Sequence, residues 1–326
     1  MMRQIRINAD SGYFYRLRGI AILSVAYAHS LSISSYPLNG ITKLLAVIGV
    51  PLFLICSGYF FKHSDEGLKE VLNKKIRTIV IPWLIWGTLA FVLECCRGTY
   101  ELSCGQLLRF ILGNGTWLYY VPVYLTIYFL YTAVHCDKLD RIVIILFIVS
   151  NIITWYSEVS LFPDYLTCYQ NPLNFIGYFA IGQFLKKNSI LQNAVPQKVV
   201  WGGVILLMLY SSILVILRIE ITYFNPLVIV YELLAVFAIL IIANKCSIFT
   251  FLDSFGRKSY IIYFLHMQWG IAISNRLFAF ACCENELIMF LTKPFVVVSI
   301  TFIIAKSIEL IINKIGLSKL LSYIGL

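Results

Sequence analysis

Ile20-Ala-Ile-Leu-Ser-Val-Ala-Tyr-Ala-His29-Ser-Leu-Ser-Ile-Ser34 is the first apolar run of the chain, with Arg16 and Arg18 standing just before it. No small-residue cleavage site follows the run, so it reads as a retained first helix rather than a removed signal. About 20 mainly apolar residues cross a bilayer as one helix, and comparable runs recur along the whole chain. The expected spans lie near 13–34, 41–61, 78–96, 117–135, 141–157, 171–186, 199–218, 226–244, 259–279 and 288–312. The fold class is therefore all-α: a polytopic transmembrane bundle of about ten helices, one domain over 1–326.

Composition agrees. Hydrophobic residues make up 60% of the chain and charged residues 13%, with a mean hydropathy of +0.83. A soluble domain carries about a quarter charged residues; here lipid must solvate much of the surface. The net charge of +10 has a topological cause, because Lys and Arg collect in cytoplasmic loops. With the N-terminus inside, 20 basic residues fall on the cytoplasmic side, Arg3 and Arg6 among them, and 6 on the other. Both termini are then cytoplasmic, in a plasma or bacterial inner membrane. No nucleic-acid-binding module is visible.

None of the nine cysteines forms a CxxC pair or a pattern with histidine, so no zinc site is expected. They are Cys56, Cys95, Cys96, Cys104, Cys136, Cys168, Cys246, Cys282 and Cys283. Six of them fall near the outer face, where a disulfide is open.

Arg18 and His29 are eleven residues apart, which on a helix brings them to nearly the same face, roughly 16 Å apart along the axis. Arg18 then sits near the cytoplasmic boundary and His29 near the bilayer middle. An ionisable side chain at that depth faces the bundle interior or a water-filled cavity. Imidazole there suits a general base; the alternative is a hydrogen bond to a neighbouring helix.

The segment Tyr15-Arg-Leu-Arg-Gly-Ile-Ala-Ile-Leu through His29 resembles the first-helix signature of acyltransferase family 3. Gly49-Val-Pro-Leu-Phe-Leu-Ile-Cys-Ser-Gly58-Tyr59 is similar to the family's second-helix segment, and Lys74-Lys-Ile-Arg77-Thr-Ile-Val-Ile-Pro82 to its basic entry to helix three. Trp117-Leu-Tyr-Tyr-Val-Pro122, Gly177-Tyr-Phe-Ala-Ile-Gly182 and Ser259-Tyr-Ile-Ile-Tyr-Phe-Leu-His266 match later patterns in order. Many members carry an acidic residue where this chain has Tyr15, and Asp where it has Pro51.

The resemblance implies an integral membrane enzyme that O-acylates a surface polysaccharide or a related acceptor from acetyl-CoA or another acyl-CoA. His29 would be the base, and Arg18 would hold the pantetheine end or polarise the thioester. Lys74, Lys75 and Arg77 would meet the phosphates of coenzyme A, although such a cluster is also a common topology determinant. His266 would support the donor channel, or be a satisfied buried histidine. Trp117, Tyr119 and Tyr120 are interface anchors or a stacking platform for a saccharide. Glu232, a carboxylate in an apolar run, orients a sugar hydroxyl or pairs with Arg218. Ser57 and Gly58 read as a close-packing site. The rival class is a secondary transporter or polysaccharide exporter that uses His29, Glu232 and His266.

Overall fold

The computed structural model describes residues 4–5, 11–62, 68–134, 138–157, 168–192, 195–245 and 247–326. Arg3, Arg6, Cys136, Cys246 and Pro163 lie outside them. A chain with so few polar residues has to satisfy its backbone hydrogen bonds within each segment, and helix dominates accordingly. Apart from helix, Gln4–Ile5 pairs antiparallel with Val195–Pro196.

Among the described residues, six helices are long and apolar enough to cross a membrane: Leu38–Phe60, Lys69–Cys96, Leu139–Tyr156, Gln197–Ile216, Pro226–Ala243 and Glu286–Lys314. The other four expected spans fall on helices that are shorter or more polar. These are Ser11–Ser30, Tyr120–Ala133, Ile176–Lys187 and the continuous helical stretch 259–280.

Three boundaries differ by four or more residues from the expected ones, one of them the start of Ile176–Lys187, expected near 171. The first helix stops at Ser30 rather than 34. Ser34 donates its N–H and hydroxyl to Glu286 Oε1 at 2.9 and 2.7 Å, and the Ser35 N–H donates to Oε2 at 3.0 Å. Serines with such partners take the chain out of helix. The third membrane helix starts earlier than expected, so Lys74, Lys75 and Arg77 stand on helix rather than in a loop. The second is made of Leu38–Ala46 and Gly49–Phe60. Pro51 lies in the first turn of the latter, where its missing N–H breaks no helical hydrogen bond.

The first helix is central. Its residues Tyr13, Leu17 and Ala21 belong to one buried cluster with Leu52, Ile127, Phe179 and Val228. Ile22, Val25 and Ala26 belong to a second, with Phe91, Trp117, Tyr263 and Val297. Close backbone approach fixes its neighbours. A Cβ at Gly256 would overlap the Tyr15 carbonyl, and Gly19 faces the Leu252 carbonyl in the same way. Gly58 and Gly182 let Gly49–Phe60 and Ile176–Lys187 meet at the Phe179 and Ile55 carbonyls, the small-residue packing expected between membrane helices. By contrast, Gln197–Ile216 is only 11% buried and borders the bundle.

Ion pairs concentrate at the end of the bundle where the first helix starts. Arg16 meets Asp253 at 3.0 Å, Lys258 and Lys306 both meet Glu309 at 2.8 Å, and Lys187 meets Asp140 at 2.5 Å. We call this the proximal end, and the opposite one distal. All seven cysteines among the described residues are free, so no disulfide forms between the six expected near the outer face.

Candidate active site

His29 is the penultimate residue of the first helix, and its ring is accessible. His266 opens a π-helical segment, His266–Ile271, and is buried. Single-turn π segments widen a helix and recur at functional sites. The two imidazoles lie with ring centroids 5.3 Å apart. His266 Nδ1 is 2.6 Å from the Tyr263 carbonyl oxygen, which can only accept. Nδ1 therefore carries the hydrogen and Nε2 the lone pair. That Nε2 is buried with no hydrogen-bond partner, as is Nε1 of Trp117, whose ring stands 6.2 Å from the His266 ring. Buried polar atoms are rarely left unpaired. Here a lone pair and an N–H donor stay free beside an accessible histidine, which is the equipment needed to bind and deprotonate a hydroxyl.

Above them a cavity of about 1050 Å³ opens toward the distal end. Its floor includes His29, Trp117 and Tyr119, and its walls bear Lys43, Glu94, Arg97, Gln268 and Asn275. Arg97 Nη1 donates to Glu94 Oε1 at 2.6 Å and to Gln268 Oε1 at 2.7 Å, while Gln268 Nε2 donates to Glu94 Oε1 at 2.9 Å. This triangle ties the end of Lys69–Cys96 to the His266 helix. The volume suits a substrate of one or a few sugar rings.

Below the floor, aromatic side chains run toward the proximal end. Tyr120, Tyr124 and Tyr128 recur every four residues and so share one face of Tyr120–Ala133, with centroids 6.2 and 5.9 Å apart in succession. Tyr263 is 5.9 Å from Tyr120, and its hydroxyl donates to the Trp117 carbonyl. At the foot of this column Lys75 turns inward. Its Nζ donates to Tyr124 Oη at 3.0 Å and lies 3.9 Å from the Tyr128 ring centre. Arg18 lies over the Phe60 ring at 5.9 Å and interacts electrostatically with Lys75, Tyr120 and Tyr124. Lys74 and Arg77 are exposed beside them, Arg77 over the Tyr323 ring at 5.7 Å. Arg77 falls in the other π-helical segment among the described residues, Ile76–Val80.

The structure thus brings His29, His266 and Trp117 together, and Arg18 together with Lys75. Tyr120 lies a layer below the cavity rather than in its wall. Glu232 is fully buried and does not line the cavity; it accepts from Tyr178 Oη, with Oε1 unpaired. Arg218, a proposed partner of Glu232, stands over the Tyr36 ring at 4.8 Å instead. Sequence reasoning missed Glu94, Gln268 and the cavity role of Arg97 and Lys43. A signal existed for Glu94, which stands in the apolar run from Pro82 to Cys96 with Arg97 three residues on. Among the described residues, no group of three or more His, Cys, Asp or Glu could hold a metal ion.

The model of a protein family described as an acyltransferase domain matches residues 13–309, which takes in the first helix, the basic cluster and both histidines. No curated protein and no solved structure matches the chain.

Proposed function

This chain belongs to acyltransferase family 3, and from that premise we propose that it moves an acetyl group from cytoplasmic acetyl-CoA to a hydroxyl of a cell-surface glycan or glycolipid. The proximal end is then the cytoplasmic one, with both termini there and ten crossings in a plasma or bacterial inner membrane. The observation that carries this reading is the placement of one histidine pair between a distal cavity and a proximal cationic cluster. The cavity meets His29 from the distal side, and a packed aromatic column runs from beneath it to Arg18 and Lys75.

Lys74, Lys75 and Arg77 hold the phosphates of the donor by charge-assisted contacts. The pantetheine arm extends along the tyrosine column past Arg18, which holds it near the proximal end while the thioester reaches toward His29. The acceptor enters the distal cavity, where its hydroxyl meets the unpartnered N–H of Trp117. His29 takes the hydroxyl proton as the acceptor oxygen attacks the carbonyl carbon. The new C–O ester bond forms, the C–S bond breaks, and the proton passes from His29 to the departing thiolate, which leaves as coenzyme A thiol. His266 offers its unpaired Nε2 as an acceptor beside His29, for the proton that His29 takes from the hydroxyl. Glu232, bonded to Tyr178 away from the cavity, has a packing role in this scheme.

The test is transfer of label from radiolabelled acetyl-CoA to a panel of glycan acceptors by membranes from a host without the activity, alongside acetyl-CoA binding to the purified protein. Label in an acceptor ester supports the proposal. Folded protein that neither transfers label nor binds acetyl-CoA contradicts it and favours transport.

A further inference from the structure

The distal cavity carries unbalanced charge. Lys43 lines it, is exposed, and has no carboxylate partner among the described residues. Arg97, its side chain 47% exposed, uses Nη1 for Glu94 and Gln268 and makes no hydrogen bond through Nε or Nη2 to the described residues. Glu94, the carboxylate in the wall, is taken up by Arg97 and Gln268. Glu220 acts electrostatically on Tyr169 at the rim but does not line the cavity. Among the described residues, two cations therefore face one neutralised carboxylate, in a concave site whose low-dielectric walls focus the field on an entering ligand.

An aromatic wall lines the same cavity, its Tyr223 hydroxyl reaching the Ala46 carbonyl one turn from Lys43. Tyr119 lies 5.4 Å from Tyr169, and Tyr169 lies 6.2 Å from Tyr223. Such rings have an apolar face for the C–H side of a sugar and a polar edge for its hydroxyls. The surplus of one positive charge matches a monoanion. The free face of the Arg97 guanidinium matches a planar carboxylate, which can accept two parallel N–H bonds.

We propose that the acceptor is an acidic glycan whose sugar carboxylate is held by Lys43 and Arg97 while its ring lies on the Tyr119–Tyr169–Tyr223 wall. This rests on the acyltransferase reading and narrows it. Anchoring the carboxylate away from the histidines turns the opposite edge of the same ring, or the neighbouring ring, toward His29. The transferred group then goes to a hydroxyl at a fixed distance from the acid.

The experiment compares a glucuronate-containing oligosaccharide with its carboxyl-reduced form as acetyl acceptors, reading the ratio of kcat/KM values. The expected ratio is at least tenfold in favour of the acid, falling as salt rises. In Lys43→Ala the ratio shrinks at least threefold, and in Lys43→Glu the reduced form is preferred. Binding of the two oligosaccharides to purified protein, read by tryptophan fluorescence, should show the same order. Label on both forms at equal rates, with a ratio that Lys43→Ala leaves unmoved, overturns the acidic acceptor and leaves the acyltransferase reading standing. Absence of label on any acceptor, with no acetyl-CoA binding, overturns both.

Discussion

His29 and His266 come from helices 237 positions apart in the sequence and stand with ring centroids 5.3 Å apart, their planes inclined at 46°. The closeness follows from packing lower down. Gly19 and Gly256 draw the first helix onto Leu252–Arg257, just before the His266 helix begins. From that crossing both helices rise side by side, which brings His266 level with the end of the first helix. Tyr263 then fixes the His266 tautomer from three residues below. His29, the proposed base, thus stands beside a histidine of fixed tautomer, in a chain with Tyr15 and Pro51 at the two positions where many members of the family are acidic.

The basic cluster should control donor affinity rather than the chemical step. Lys75→Gln removes a half-buried charge-assisted contact of about 1.5–3 kcal/mol, so KM for acetyl-CoA should rise about tenfold or more. The change in kcat should be small, and the difference should narrow at high ionic strength. Initial rates against acetyl-CoA concentration at two salt levels check this. An unaltered KM would return Lys75 to a topological role.

Glu232→Gln should leave acetyl transfer near the wild-type rate, because a glutamine carbonyl still accepts from Tyr178 Oη. Glu232→Leu leaves that hydroxyl unpaired and should cost stability of about 1–3 kcal/mol. The check is transfer rate together with thermal unfolding in detergent. Loss of activity in stable Glu232→Gln would mean that its proton or charge takes part.

Gly58→Val should disrupt the bundle, since the added side chain meets the Phe179 backbone rather than a flexible side chain. Overpacking of this kind costs about 1–3 kcal/mol. The variant should unfold at lower temperature in detergent while Gly202→Val, at a position open to space, should not. Equal melting of the two would refute the contact.

Much of this was legible in the sequence, because apolar runs between breaks are a local signal. The runs alone placed each helix of the bundle to within a few residues in most cases. They failed at Ser30 because the end of that helix depends on Glu286, a partner 252 positions from Ser34. They failed at Lys69 because a polar helical turn outside the apolar run has no hydropathic mark. In the site, His29 was visible as an ionisable group in an apolar helix. Glu94 met the same criterion as Glu232 and was passed over, yet Glu94 lines the cavity and Glu232 does not. Which buried carboxylate faces a cavity is decided by helix rotation, and a weakly amphipathic membrane helix does not record it. The contact of Trp117 with His266 is likewise tertiary, so an aromatic that reads as an interface anchor turned out to be interior.

The central claim is that His29 takes the acceptor proton, and the most direct measurement is the initial rate of label transfer from acetyl-CoA by wild type, His29→Ala and His266→Ala at matched folded protein. His29→Ala should lose about 10²–10⁴-fold in rate while binding acetyl-CoA within threefold of wild type. His266→Ala should lose less and shift the pH profile of what remains. Undiminished transfer by His29→Ala would contradict the account.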